Sequence, residues 1–235
     1  VGISSDITNF SESMLISNDA GTGTLDSANN NTGFGFEVFD DLTSGDGNTG
    51  VGRKALTVLT TGSNNTGVGI NALLANTTGS NNTAIGSIAG SSITTGASNV
   101  AIGRNSLSNT TTGNANIAIG LSALESNTTA SYNTAVGHET LNANTTGANN
   151  VAIGSGALDA NTTGDANTAV GKDALTDNTT GTNNVAVGEN ALANNTTADQ
   201  NTAVGQNALL TSTTAGNNVA IGHDAMRLTT GGGNS

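Results

Sequence analysis

The sequence predicts an all-β fold, a parallel β-solenoid of about twelve 17-residue rungs. An Asn followed by a short aliphatic run returns every 17 residues with no insertion or deletion. Within the run, β-branched residues alternate with small ones between Asn and Gly, which is typical of a short strand with one buried face. A fixed period over many units indicates that each unit stacks on the next. Positions are numbered 1 to 17 from this Asn, which stands at Asn31, Asn48, Asn65, Asn82, Asn99, Asn116, Asn133, Asn150, Asn167, Asn184, Asn201 and Asn218.

Positions 2, 4 and 9 carry most of the larger aliphatic side chains. Position 2 is Thr, Val or Ile, and position 4 is Val or Ile from Val51 to Ile221, with Phe34 in the first unit. Position 9 is almost always Leu, with Phe39 and Gly90 among the departures. We therefore predict that the side chains of positions 4 and 9 form continuous ladders inside the coil.

The side chain of position 3 lies on the opposite side of the strand from those of positions 2 and 4, yet this position holds only Ala and Gly. Gly stands there in the first three units, at Gly33, Gly50 and Gly67, and Ala in the other nine. A solvent-facing position would vary freely, so the restriction predicts the close approach of another backbone. We expect this neighbour to be a second copy, with the chain wound as a homotrimer along position 3. Packing within one chain is the alternative.

The remaining constant positions are predicted to shape the rung. Position 5 is Gly from Gly35 to Gly222, which predicts a positive φ or a crowded backbone. The Asn side chains of position 1 are expected to stack as an amide ladder. Positions 13 and 14 read Thr-Thr in most units. The segment after the glycine remains open between a second strand and a single helical turn.

Two regions follow from this register. Residues 31–235 form the β-solenoid repeat domain, and residues 1–30 an irregular N-terminal cap or junction that could hold a degenerate repeat. Residues 1–47 contain eight of the 17 acidic residues and no Lys or Arg. We expect the chain to be a piece of something longer.

Composition argues against several classes of function. The net charge of −12 and the five basic residues disfavour nucleic-acid binding, which needs clustered Lys and Arg. No apolar run approaches the roughly 20 residues of a membrane span. The chain has no Cys, and therefore neither disulfides nor thiolate metal sites. No grouping of Ser, His and Asp recurs, so we expect no enzyme activity, no metal and no cofactor.

Five residues could offer ligands to a metal ion, but their spacing argues against a metal site. His138 and His223 both occupy position 6, five units apart, or about 24 Å, which is too far for one site within a chain. Asp40, Asp41 and Asp46 could offer oxygen ligands to calcium. Their spacing lacks the Asp-Gly pattern of known calcium loops, which favours a turn.

The Asn-Thr-Thr segments satisfy the sequence requirement for N-glycosylation. In a glycosylating host, this ladder is expected to carry a row of sugars, whereas in a bacterial or viral protein it would stay bare. The residues concerned are Asn76, Asn127, Asn144, Asn161, Asn178 and Asn195.

The repeat unit resembles two related kinds of surface protein. The segment NVAIG, at 99–103, 150–154 and 218–222, is similar to the repeat of trimeric autotransporter adhesin heads, which are left-handed parallel β-rolls wound as trimers. The full unit, with its AL and NTTG segments, is more similar to the repeats of tailed-phage tail fibres, as is the stretch SMLISNDAGTGTL at 13–25. The resemblance covers roughly residues 13–235. The adhesin heads use a shorter repeat, which leaves the shape of the coil undetermined.

The resemblance implies a structural shaft or head of an extracellular fibre, located outside the cell or on a virion surface. Such a fibre would self-associate and attach to a cell-surface glycan or receptor through many weak contacts. A purely structural surface or matrix filament is the alternative. An ice-binding solenoid is a third class. It is disfavoured because neighbouring Thr residues on a strand point to opposite faces, which leaves one Thr per rung outward.

Overall fold

The fold is a parallel β-solenoid of about eleven 17-residue turns, as the sequence predicts. The computed structural model describes residues 2–7, 10–17, 27–229 and 231–234, and these contain no helix. Twelve three-residue strands run parallel, one from each 17-residue repeat, and about eleven turns of the coil connect them. The chain divides into two compact units, Val1–Asn116 and Ile117–Ser235. Each unit is built from the same kind of turn.

The first unit begins with an antiparallel pair of strands and continues as a parallel ladder. In this antiparallel pair, Gly2 lies opposite Ser17. The second strand of the pair then runs parallel to the first strand of the repeats and pairs with it. Equivalent positions face each other throughout the ladder, as when Gly50 pairs with Gly67. The strands are β1 (Gly2–Ile7), β2 (Phe10–Ser17), β3 (Thr32–Phe34), β4 (Thr49–Val51), β5 (Thr66–Val68), β6 (Thr83–Ile85) and β7 (Val100–Ile102).

The second unit repeats the parallel ladder without an antiparallel pair among its described residues. Ala152 pairs with Ala135 on one side and Ala169 on the other, so the 17-residue register holds between turns. The strands are β8 (Ile117–Ile119), β9 (Thr134–Val136), β10 (Val151–Ile153), β11 (Thr168–Val170), β12 (Val185–Val187), β13 (Thr202–Val204) and β14 (Val219–Ile221).

The segment after the glycine is a series of tight turns, neither a second strand nor a helical turn. The Ala174 N–H donates to the Gly171 carbonyl at 3.4 Å, and the Asn178 N–H donates to the Leu175 carbonyl at 3.1 Å. Position 9, between these turns, has a left-handed backbone, with φ of 53° at Leu175. A bulky residue with positive φ is uncommon, so burial of the Leu side chain must offset the backbone cost.

Position 9 forms the internal ladder that the sequence predicts. In the second unit the Leu side chains at this position are fully buried in six successive turns. They are Leu124, Leu141, Leu158, Leu175, Leu192 and Leu209.

The prediction for position 4 is wrong, because the strand presents its middle residue to the interior. Ala152 is fully buried, whereas Ile153 at position 4 is 42% exposed. The same burial pattern recurs in every strand from β3 to β14, with position 3 inside and positions 2 and 4 outside.

The small residues of position 3 are explained by the narrow interior of the chain itself. At Gly50, an added Cβ would lie 2.8 Å from the Val38 Cγ1 and 3.2 Å from the Phe39 Cζ. At Gly67, it would lie 3.3 Å from the Leu56 Cγ. Gly50 therefore has no room for a methyl group, and at other turns the Ala methyl is itself fully buried, as at Ala152, so a second chain cannot approach through position 3. The predicted contact between copies along position 3 is wrong.

Both predicted reasons for glycine at position 5, a positive φ and a crowded backbone, are present. Gly154 has a φ of 130°, and a Cβ there would lie 2.5 Å from the Gly171 carbonyl oxygen. The backbones of consecutive turns therefore touch at this corner.

The predicted amide ladder at position 1 is confirmed. The Asn48 side chain is fully buried, and its Nδ2 donates to the Asn31 Oδ1 at 3.0 Å and to the Gly62 carbonyl at 3.0 Å. The Asn48 backbone N–H donates to the same Asn31 Oδ1 at 2.8 Å. Buried amides cost little when their donors and acceptors are paired, so this column stitches each turn to its neighbour.

Candidate interaction surface

The outward side of the strands is an exposed aliphatic surface, which we call the strand face. It consists of the side chains at positions 2 and 4 of every turn. Position 4 is aliphatic in every turn after Phe34, and position 2 is Val or Ile in five of the twelve turns. At position 4, Ile85, Ile153 and Ile221 are 41%, 42% and 72% exposed and Ile119 is 37% exposed, whereas Ile102 and the Val side chains are half-buried.

Two more apolar side chains of the first compact unit are exposed at position 6, outside the strand face. Phe36 and Ile70 follow the glycine at position 6 and are both exposed. A single exposed Leu or Ile is ordinary on a soluble protein, but a continuous apolar patch marks an interaction site. Because the strands stack in register, each compact unit carries a row of these side chains.

The two histidines lie apart from this apolar surface on exposed position-6 sites. The His138 Nδ1 lies 3.6 Å from the Glu139 carboxylate, and the His223 Nδ1 lies 3.3 Å from the Asp224 carboxylate. Among the described residues, no three His, Cys, Asp or Glu side chains gather as metal ligands.

Asp40, Asp41 and Asp46 do not converge on a metal site. The Asp46 Oδ1 accepts a hydrogen bond from the Asn29 backbone N–H at 2.6 Å, and Asp41 is exposed to solvent. Asp40 is half-buried. The Asp46 carboxylate thus serves the stacking of turns.

Position 16 often supplies such an acceptor. The Asp165 Oδ1 accepts from the Ala148 N–H at 2.7 Å, and the Ser80 Oγ accepts from the Ser63 N–H at 3.0 Å. The frequency of Asp, Ser and Asn at this position was the available signal, since these side chains readily bond to backbone N–H groups.

The Asn-Thr-Thr asparagines form a second buried amide ladder. Asn161 is fully buried, and its Nδ2 donates to the Asn144 Oδ1 at 2.9 Å and to the Gly164 carbonyl at 3.0 Å. Its Oδ1 accepts from the Asn178 Nδ2 at 2.9 Å. The expected row of sugars on these side chains is therefore incompatible with the folded coil.

Two titrating groups on the second unit have shifted pKa values. Partial burial raises the pKa of Asp159, although its Oδ1 accepts a hydrogen bond from the Thr176 hydroxyl at 2.9 Å. The hydrogen bond to Asp173 raises the pKa of the exposed Lys172, whose Nζ lies 3.1 Å from that carboxylate. Both are interactions on the surface of the coil.

No pocket opens in the surface of the described residues. None of these residues forms a helix long and apolar enough to cross a bilayer. Comparisons with protein-family profiles, curated protein sequences and solved structures gave no match for this chain. The strand face is consequently the candidate functional surface.

Proposed function

We propose that this chain is a structural segment of an extracellular or virion-surface fibre, in which copies assemble through the strand face. The observation that carries the proposal is the row of aliphatic side chains at position 4 in successive turns, in which Ile119 and Ile153 are exposed and Val136 between them is half-buried. An apolar surface repeated in register suits a partner with the same repeat, and a second copy of the chain has it.

The energetic argument follows from the exposed area. Complete burial of an Ile side chain contributes about 1.5–3 kcal/mol, so covering the exposed 42% of Ile153 would contribute about 0.6–1.2 kcal/mol. Several turns per copy would contribute several such amounts. We propose three copies because the NVAIG segments resemble those of trimeric adhesin heads.

The proposed role of the assembly is attachment to a cell surface, through a glycan or another receptor. Three identical chains present every surface feature three times, and linking weak sites in this way raises avidity by about 10²–10⁴. A purely structural filament would assemble in the same way but would not attach to a glycan or receptor.

Light scattering on the purified chain tests the assembly. We expect three times the chain mass, and we expect the double substitution Ile153→Lys with Val187→Lys to give single chains with an unchanged circular dichroism spectrum. As a matched control, Ser155→Lys with Glu189→Lys changes exposed position-6 residues on the same two turns and should leave the mass unchanged. A native chain that is monomeric at all concentrations would contradict the proposal.

Binding of the labelled chain to a glycan array and to whole cells tests attachment. The assembled chain should bind, and the single-chain variant should bind at least tenfold more weakly. An assembled chain that binds neither cells nor glycans would favour the purely structural filament.

A further inference from the structure

Position 14 faces outward and is almost always Thr, although its hydroxyl makes no hydrogen bond among the described residues. Position 14 is Thr in ten of the twelve turns, with Ser44 and Gly231 as the exceptions. All ten Thr side chains are exposed. Within the part of the chain that the structure describes, none of their hydroxyls has a hydrogen-bond partner. Position 6 is also largely exposed, yet it varies through Arg53, Lys172 and Glu189.

The neighbouring Thr at position 13 is different, because its hydroxyl holds the turns together. The Thr145 hydroxyl donates to the Thr162 carbonyl at 3.0 Å, as the Thr162 hydroxyl does to the Thr179 carbonyl at 3.0 Å. Positions 13 and 14 lie in a bend and not on a strand. Position 13 is half-buried, so one free hydroxyl per turn reaches the surface, as the sequence predicts. A single column can still match ice along one direction if its spacing fits that of ordered water.

The backbone beneath position 14 is fixed in register. The Thr145 and Thr146 N–H groups both donate to the Thr162 carbonyl, at 3.0 and 3.2 Å. The next turn repeats this arrangement, with the Thr162 and Thr163 N–H groups on the Thr179 carbonyl at 2.9 and 3.2 Å. Turns stacked by such hydrogen bonds are about 4.8 Å apart, so the free hydroxyls form a regular column at that spacing.

This spacing is close to one that occurs in ordered water. Oxygen atoms joined by O–H···O hydrogen bonds lie about 2.75 Å apart, and tetrahedral geometry then places second neighbours about 4.5 Å apart. The mismatch of about 0.3 Å per turn accumulates to about 1.5 Å over the six Thr residues of the second unit, less than half of one spacing. The column also contains no charged side chain, so its hydration is not dominated by an ion.

We propose that the position-14 threonines of the second unit bind ice. Their hydroxyls occupy water sites of the lattice, and their methyl groups displace less ordered water between those sites. The residues are Thr129, Thr146, Thr163, Thr180, Thr197 and Thr214. This surface is separate from the strand face and does not rest on the proposed assembly.

Thermal hysteresis of the full chain tests the proposal, with ice-crystal shape as the second readout. We expect measurable hysteresis and faceted crystals for the native chain. The variant Thr146→Lys, Thr163→Lys, Thr180→Lys should lose both, because three ammonium groups interrupt the column while every backbone hydrogen bond remains. Its circular dichroism spectrum and melting curve should match those of the native chain.

The matched control places the same three charges elsewhere on the second unit. Leu121→Lys, Ser155→Lys, Gln206→Lys changes exposed, uncharged position-6 residues and should retain the hysteresis. The proposal is overturned if the native chain shows no hysteresis, if the folded position-14 variant keeps it, or if both variants lose it equally. It is also overturned if the chain leaves ice growth unchanged and binds crystalline cellulose or chitin instead.

Discussion

Substitutions at two adjacent residues of β10 should separate the inside of the coil from its outside. Ala152 is fully buried in the narrow interior, and Ile153 is 42% exposed on the strand face. We compare Ala152→Gln with Ile153→Gln, so that the same side chain is introduced on either side of the strand.

The two costs should differ in magnitude because their causes differ. At Ala152, the larger side chain overpacks a filled interior, at about 1–3 kcal/mol. Its buried amide also lacks partners, at about 1–3 kcal/mol, so the total is about 2–6 kcal/mol. At Ile153, the loss is limited to the buried three fifths of one Ile side chain, or about 1–2 kcal/mol.

Guanidinium unfolding followed by circular dichroism measures both free energies of unfolding. Light scattering on the same samples reports whether a change in assembly contributes. We expect Ala152→Gln to lower the unfolding midpoint well below that of Ile153→Gln. If Ala152→Gln unfolds like the native chain, or if Ile153→Gln is the more destabilised of the two, the assignment of position 3 to the interior is refuted.

Three further predictions concern the ladders, the corner and the titrating acid. Asn161→Leu should destabilise by about 2–4 kcal/mol in chemical unfolding, because the buried amides on either side lose their partner; an unchanged midpoint would contradict the ladder's role. Gly154→Ala should lower the free energy of unfolding by about 1–3 kcal/mol or more. The control Gly156→Asn should be tolerated, since position 7 holds Asn or Asp in other turns. Equal effects of the two substitutions would contradict the backbone contact at the position-5 corner. Because burial raises the pKa of Asp159 in the folded state, the native chain gains stability as pH falls through that pKa. Asp159→Asn should therefore raise the melting temperature at pH 7 but not at pH 3, and an equal rise at both would exclude the carboxylate charge as the cause.

The sequence was sufficient for the features that depend on the period itself. A 17-residue interval without insertion places equivalent residues of successive turns together, so the stacking of Asn48 on Asn31 and the burial of the Leu ladder follow from it. The glycine of position 5 was also predictable, because its constancy excludes any residue with a Cβ.

The sequence missed which residues of the turn adopt positive φ. Positions 7, 9 and 17 are left-handed in nearly every turn, as at Asp173, Leu175 and Asn183. The frequent Asn and Asp at positions 7 and 17 were the available signal, since these residues tolerate that conformation best. Leu at position 9 gave no such signal, because its side chain is selected by burial and its backbone angle is imposed by the adjoining turns.

Only the tertiary structure decided which side of the strand is inside. Alternation in a three-residue strand such as Val151–Ile153 separates one residue from two and does not say which set is buried. The sequence favoured burial of the two larger residues, but the coil is too narrow to hold them beside the Leu ladder. Closing each turn into a coil also buries the Asn-Thr-Thr amides and exposes the hydroxyls of the position-14 Thr residues. The sequence does not show this, because residues far apart along the 17-residue repeat pack against one another within a turn.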